Sequence, residues 1–128
     1  MQIQIDIDQD SQLTTFSVEG ELDFNELLAF IETHHAQSGH TERCLWDFRS
    51  ITGGDQVSVL QMGQFYGLCS KYFYGEHAHR ISFVVGDHMG FGFAQVLSTF
   101  EELYDLYLCV RVFKDIEVAM GWLEEGSL

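Results

Sequence analysis

The residues best suited to chemistry follow an apolar run at 44–48, which is typical of a buried strand. An acid interrupts this run, and a glycine-rich turn and a second acid follow; the candidates for contact with a ligand or partner are Asp47, Thr52, Gly53, Gly54 and Asp55. Glycines before a helix can direct backbone N–H groups toward an anion. Alternatively, the glycines only allow a tight turn, and the second acid caps the helix.

A second group of polar residues follows the apolar run at 80–85. Gly86 and Asp87 end that run, and His88 comes next. If the two runs are neighbouring parallel strands, both turns lie at one edge of the sheet, with a pocket between them. Asp87 and His88 have the chemistry of an acid–base pair, but no nucleophile accompanies them. The acids at both helix starts favour an uncharged or apolar ligand over an anion.

Six histidines and three cysteines raise the question of a metal site. His34 and His35 are adjacent on a predicted helix, so their side chains diverge by about 100°. His77 and His79 can face one side of an extended segment, but no third ligand is evident. The cysteines have no Cys-x-x-Cys spacing and lie in apolar stretches, as buried reduced thiols do. We therefore expect neither a metal nor a cofactor.

The charge of the chain restricts its partners. Its 128 residues include 6 Lys and Arg against 20 Asp and Glu, a formal charge of −14 with histidine neutral. Such a chain repels phosphate backbones and anionic lipids, so we expect no nucleic acid and no membrane among its partners. The first residues lack a basic signal-peptide segment, and no apolar run is long enough to span a bilayer. We expect one cytoplasmic domain over 1–128.

Hydrophobic periodicity distributes these residues over alternating strands and helices. The order is β-β-α-β-α-β-α-β-α, with ranges of about 3–7, 13–18, 24–38, 44–48, 55–74, 80–85, 89–103, 106–113 and 115–123. Asp23 and Glu26 have the spacing of a capping box before the first helix. An opening antiparallel hairpin followed by strand–helix alternation predicts an α/β fold. We expect a mixed, mostly parallel sheet of about five strands with about four flanking helices.

Aromatic residues are concentrated in two of the predicted helices. Gly90 and Gly92 allow another backbone to approach closely. Phe91 and Phe93 lie about 200° apart on a helix, so they cannot both face one narrow core stripe. Two interpretations stay open: the aromatic side chains fill a large core, or they cover a second copy of the chain or an apolar ligand such as a lipid. Phe91 is therefore a further candidate for contact with a partner or ligand.

Four segments, taken in order, give the chain a resemblance to small SpoIIAA-like (STAS-like) domain proteins. They are residues 20–22 before the first helix, 45–49 on the central strand, 81–87, and 112–123 near the end. Together they span nearly the whole chain. The resemblance implies a mixed sheet with flanking helices, and a role in binding or regulation rather than catalysis.

The resemblance also bears on phosphorylation. The anti-sigma-factor antagonists of this fold carry an Asp-Ser-Ser-Gly motif after the central strand, and a partner kinase phosphorylates its second serine. Counting without gaps from Asp47, the acid of that motif falls on Asp55 and the phosphoacceptor on Val57, while Ser58 occupies the glycine position. We therefore expect no intact phosphoswitch. Ser58 stays a lesser candidate, since the first turn of a helix favours a phosphate but the nearby acid repels it.

The sequence thus predicts a non-enzymatic regulatory module that binds a protein partner or a second copy of itself as a homodimer. A second hypothesis is a binding protein for a small apolar ligand or lipid, held in a pocket between helices. The third is an enzyme of unknown chemistry. These hypotheses differ in what they require of the aromatic helices and of the sheet edge after the central strand.

Overall fold

A five-stranded sheet organises the computed structural model, which describes residues 1–34, 41–54, 58–72, 80–86 and 109–125. The strands lie side by side in chain order. The elements are β1 (Gln2–Asp8), β2 (Leu13–Leu22), α1 (Phe24–His34), β3 (Arg43–Gly54), α2 (Val59–Tyr72), β4 (Arg80–Val84), β5 (Cys109–Phe113) and α3 (Ile116–Glu125). β1 is antiparallel to β2 and the other neighbours are parallel, which confirms the predicted mixed α/β fold.

The opening hairpin follows from the alternation in β1, where three half-buried isoleucines are separated by exposed polar residues. In the turn, Oδ1 of Asp8 accepts hydrogen bonds from the backbone N–H groups of Ser11 (3.2 Å) and Asp10 (3.0 Å). The bonds from Ser11, and then the bond from Asp10, lower the pKa of Asp8. The turn thereby fixes the register of the two strands, which a buried face requires.

The first face of the sheet is covered by α1 and α2, which meet an aromatic core there. Phe16, Trp46 and Phe83 occupy neighbouring positions in register, and each is at most 1% exposed. The rings of Phe16 and Trp46 stack with centroids 4.1 Å apart, and Phe65 of α2 meets Trp46 edge-on at 5.3 Å. Phe65, one of the helical aromatic residues, therefore belongs to the core.

The second face carries α3, which lies mainly on β3, β4 and β5. A separate core cluster joins the helix to the sheet; its fully buried members are Leu45, Val84, Ala119 and Leu123. Nη1 of Arg80 donates a hydrogen bond to the carbonyl oxygen of Trp122 (2.5 Å), and the guanidinium lies over the Trp122 ring. This bond satisfies a carbonyl group at the end of α3. The part of the second face formed by β1 and β2 lies beside the helix.

β3 is longer than the strand predicted at 44–48. Arg49 and Ser50 are exposed and end the apolar run, yet the backbone continues to pair with β2 as far as Gly54. The pairing includes register shifts, typical of β-bulges, on both sides of Glu19 and Gly20. Backbone pairing with a neighbouring strand, rather than side-chain burial, therefore sets the end of β3.

The helices also differ from their predicted ranges. α2 spans Val59–Tyr72 and begins after Ser58, so the start predicted at 55 was too early. The predicted end at 73–74 and the helix predicted at 89–103 lie outside the described residues. Asp23 caps α1 as expected, since its Oδ1 accepts a hydrogen bond from the N–H of Glu26 at 3.1 Å. None of the described helices has the length and apolar character needed to cross a membrane.

Candidate functional site

Asp47 lies on β3, where its carboxylate is held by Arg49. Nε and the backbone N–H of Arg49 donate hydrogen bonds to Oδ1 at 2.9 and 3.0 Å, and Nη2 donates one to Oδ2 at 2.8 Å. This is bidentate pairing of a guanidinium with a carboxylate, the geometry in which such bonds are strong. Both carboxylate oxygens are engaged, so Asp47 holds the side chain and backbone of Arg49 in place within β3.

The ion pair also fixes the charge of the carboxylate. Burial raises the pKa of Asp47, but the hydrogen bonds and positive charge of Arg49 outweigh burial, and the pKa lies below its ordinary value. The bond to Asp47, with a further contribution from the charge of Asp115, raises the pKa of Arg49. Asp115 in turn caps α3, since its Oδ1 accepts a hydrogen bond from the N–H of Glu117 at 2.8 Å. Asp47 is therefore ionised at neutral pH and is no proton donor.

Gly53 and Gly54 extend β3 and do not form the predicted turn at a helix start. Their φ angles are +150° and +107°, values that L side chains rarely adopt. A Cβ on Gly54 would lie 2.4 Å from the backbone nitrogen and oxygen of Leu22. The glycines pair with Glu21 and Leu22 of β2, and Thr52 before them is exposed. Close strand packing therefore accounts for Gly54, whereas at Gly53, where a Cβ would meet nothing within 4 Å, the positive φ alone favours glycine.

Ser58 caps α2. Its Oγ accepts a hydrogen bond from the backbone N–H of Gln61 at 3.1 Å, and Oε1 of Gln61 accepts one from the N–H of Ser58 at 3.0 Å. This is a reciprocal capping box. The structure places the cap at Ser58 instead of Asp55, and Ser58 precedes the first turn rather than lying within it. Asp55 itself lies outside the described residues.

Gly86 follows β4 and packs closely against the backbone of β3. A Cβ at this position would lie 3.0 Å from the carbonyl oxygen of Arg49 and 3.1 Å from its Cα. Glycine is needed here because the two backbones approach so closely. The structure thus brings Asp47, Arg49 and Gly86 together where the pairing of β3 with β4 ends. The remaining candidates lie outside the described residues: Asp87, His88 and Phe91.

An exposed leucine stands beside the cap of α2. Leu60 is 76% exposed, and among the described residues the other large apolar side chain of this kind is Val118, at 57%. Leu60 is not among the candidate residues predicted from the sequence. Its signal was nevertheless present, because Leu60 falls off the apolar stripe that the helical spacing predicts at Val59, Met62, Phe65 and Tyr66.

Of the histidine and cysteine side chains, the structure describes those of His34 and Cys44. Across the described ranges, no three His, Cys, Asp or Glu residues are grouped closely enough to hold a metal ion. The ring of His34 lies 4.7 Å from the ring of Phe30. Cys44 is buried, and burial raises the pKa of its thiol, which keeps it protonated and unreactive.

Solved structures identify the fold. The chain is similar to an uncharacterized protein of the DUF3478 family with a SpoIIAA-like fold from Shewanella loihica, at 20% identity over 95% of this chain and 92% of that chain, with a TM-score of 0.55. An anti-sigma factor antagonist from Mycobacterium paratuberculosis has 12% identity, coverage of 96% and 95%, and a TM-score of 0.56. The anti-sigma factor antagonist SpoIIAA in its unphosphorylated form has 17% identity, coverage of 97% for both chains, and a TM-score of 0.51.

The chain therefore has a SpoIIAA-like (STAS-like) fold, which confirms the resemblance inferred from the four sequence segments. No protein-family model and no curated protein matches the sequence. At these identities the likeness establishes the fold, and function has to be argued from the residues of this chain.

Proposed function

We propose that this chain is a non-enzymatic regulatory module that binds another protein through the surface at the start of α2. The observation that carries the proposal is the 76% exposure of Leu60. Full burial of a leucine side chain contributes about 1.5–3 kcal/mol. Because Leu60 is 76% exposed, a partner that covers it gains about three quarters of that free energy.

Contacts within the chain hold the helix that carries Leu60. The capping box of Ser58 and Gln61 fixes the first turn of α2. Further along the same helix, Phe65 is 1% exposed and packs edge-on against Trp46. Because the helix is anchored at both places, binding at Leu60 requires little further ordering, which lowers the entropic cost of association.

The neighbouring groups support binding more than catalysis. Asp47 is paired with Arg49 and has a lowered pKa, so it cannot serve as a free acid at neutral pH. The Ser58 hydroxyl is engaged as a helix cap, and the proposal therefore does not involve a phosphoswitch. Two structures of similar fold are anti-sigma factor antagonists, a name that implies a protein partner. We extend that kind of role to this chain, in the cytoplasm.

We expect the partner to be a different protein with a basic surface. Each chain carries 20 acids against 6 Lys and Arg, so two copies repel each other over most orientations. A homodimer is therefore the less favoured arrangement. The hypothesis of an apolar ligand between helices depends on 89–103, outside the described residues, and stays a prediction.

Two matched variants test the proposal. Leu60→Asp and Val118→Asp each replace an exposed apolar side chain in the first turn of a helix, where an acid is compatible with the helix dipole. Each tagged variant is produced in the source cells, and the proteins that co-purify are quantified against wild type. We expect Leu60→Asp to lower recovery of a specific partner at least about tenfold and Val118→Asp to retain it. Equal recovery by both variants would contradict the proposal.

A further inference from the structure

A groove runs along α3 on the second face of the sheet, beside the hairpin of β1 and β2. Its volume is about 580 Å³. Leu13 of β2, Leu45 of β3 and Met120 of α3 give it an apolar floor. Leu13 and Met120 are only partly buried, so apolar surface is accessible at the bottom of the groove.

The rim of the groove is acidic on both sides. Asp6 stands on the β1 side, and Glu117 and Glu124 stand on the α3 side. All three side chains are exposed, and within the described ranges none of them forms an ion pair. An apolar floor between acidic walls complements a ligand with an apolar stripe and basic flanks.

Two residues of α3 that line the groove weaken the helix itself. Gly121 lies in the helix interior, where glycine is unfavourable, although a Cβ there would meet no atom within 4 Å. Glu124 lies in the last turn, where a negative charge opposes the helix dipole and where the helix itself carries no basic residue. Neither residue improves the packing of the chain. Gly121 leaves the groove wider, and Glu124 adds a negative charge to its rim. Such local conflicts are expected where a surface has a function.

We propose that this groove binds a basic amphipathic helix of a partner protein. The apolar stripe of that helix contacts Leu13 and Met120, and its backbone approaches α3 at Gly121. Lysine or arginine side chains of the partner pair with the acidic rim. The formal charge of −14 disfavours a second copy of this chain or an acidic segment as the occupant. This is helix-in-groove recognition, on the opposite side of the sheet from Leu60.

A designed peptide tests the groove on the full chain. The probe is a fluorescein-labelled peptide of leucine and lysine, about 14 residues long, which forms about 20 Å of helix. Its leucines have helical spacing, and a control peptide of the same composition alternates leucine with lysine. Fluorescence anisotropy gives both affinities. We expect the amphipathic probe to bind at least about tenfold more tightly than the control peptide.

Substitutions in α3 locate the binding site. Gly121→Leu places a bulky side chain at the groove, where a Cβ meets no atom within 4 Å, and we expect it to weaken probe binding at least about tenfold while circular dichroism shows an intact fold. Glu124→Gln and Glu125→Gln remove the same charge from the same turn, but Glu125 does not line the groove. We expect Glu124→Gln to weaken probe binding more than Glu125→Gln does. This comparison still tests the groove if Gly121→Leu does not fold.

The outcomes separate this inference from the proposed function. Leu60→Asp is expected to leave probe binding unchanged, so loss of the partner at Leu60 and loss of the groove ligand can be told apart. The inference is overturned if the wild-type chain does not bind the probe or binds both peptides equally. It is also overturned if a folded Gly121→Leu variant keeps the wild-type affinity, or if the two glutamine variants bind the probe equally.

Discussion

Gly86 lies so close to Arg49 that a Cβ on the glycine would stand 3.0 Å from the arginine carbonyl oxygen. Because the contacted atoms belong to the backbone, they cannot rotate away. We expect Gly86→Ala to lower the free energy of unfolding by about 1–3 kcal/mol, measured by urea denaturation. Gly67→Ala in α2 is the matched control, since a Cβ there meets nothing within 4 Å. It should raise the free energy of unfolding by up to about 1 kcal/mol; equal effects would contradict the close approach.

The lowered pKa of Asp47 predicts a pH dependence of stability. In the unfolded chain this carboxyl titrates near its ordinary value of 3.8, and in the folded chain it titrates below that value. The ion pair therefore stabilises the fold above about pH 4, and this contribution is lost as the pH falls through the folded-state pKa. Asp47→Asn should flatten the dependence of the unfolding free energy on pH below about 4, and Arg49→Met should do the same. An unchanged slope in both variants would exclude this role for the pair.

Substitutions of Ser58 distinguish a structural role of its hydroxyl group from a regulatory one. We expect Ser58→Ala to destabilise the chain by about 1 kcal/mol, because Oγ no longer accepts the hydrogen bond from Gln61, and Ser58→Asn to retain most of the stability. Partner binding by folded Ser58→Asn, which keeps a capping oxygen but has no hydroxyl to phosphorylate, should be unchanged. Phosphate on Ser58, found by mass spectrometry of protein from the source cells, would contradict this account, as would loss of the partner in Ser58→Asn.

Native mass spectrometry distinguishes a partner-binding module from a ligand carrier. We expect the purified chain to have its own mass and to be monomeric, because its charge of −14 opposes self-association. Extra mass that disappears on denaturation would support the apolar-ligand hypothesis instead. A clean even-numbered oligomer would support a homodimer.

The strands and the first helix could be predicted because their signals are local. The alternation of Ile3, Ile5 and Ile7 predicts a half-buried strand, and the structure shows that burial pattern. The spacing of Asp23 and Glu26 predicts the start of α1, and the capping bond is present. Each of these patterns depends on residues within one element, so no knowledge of the rest of the fold was required.

The geometry of the site was harder to predict than the strands, because it depends on backbone contacts between residues far apart in the sequence. Gly54 belongs to β3 because it packs against Leu22 of another strand, and Gly86 is a glycine because of Arg49. Neither contact follows from local spacing. The exposure of Leu60 could be inferred in part, because Leu60 lies off the apolar stripe, but the helix is capped by Ser58, three residues after the Asp55 that the sequence suggests.

Photo-crosslinking at position 60 tests the central claim most directly. Leu60 and, separately, Val118 are replaced by the photoreactive amino acid p-benzoylphenylalanine in the source cells, and adducts formed under ultraviolet light are identified by mass spectrometry. Both positions are exposed, so both report what approaches them in the cell. We predict an adduct with one specific protein at position 60 and none with that protein at position 118. No adduct at position 60, or the same adduct at both positions, would contradict a partner-binding surface at the start of α2.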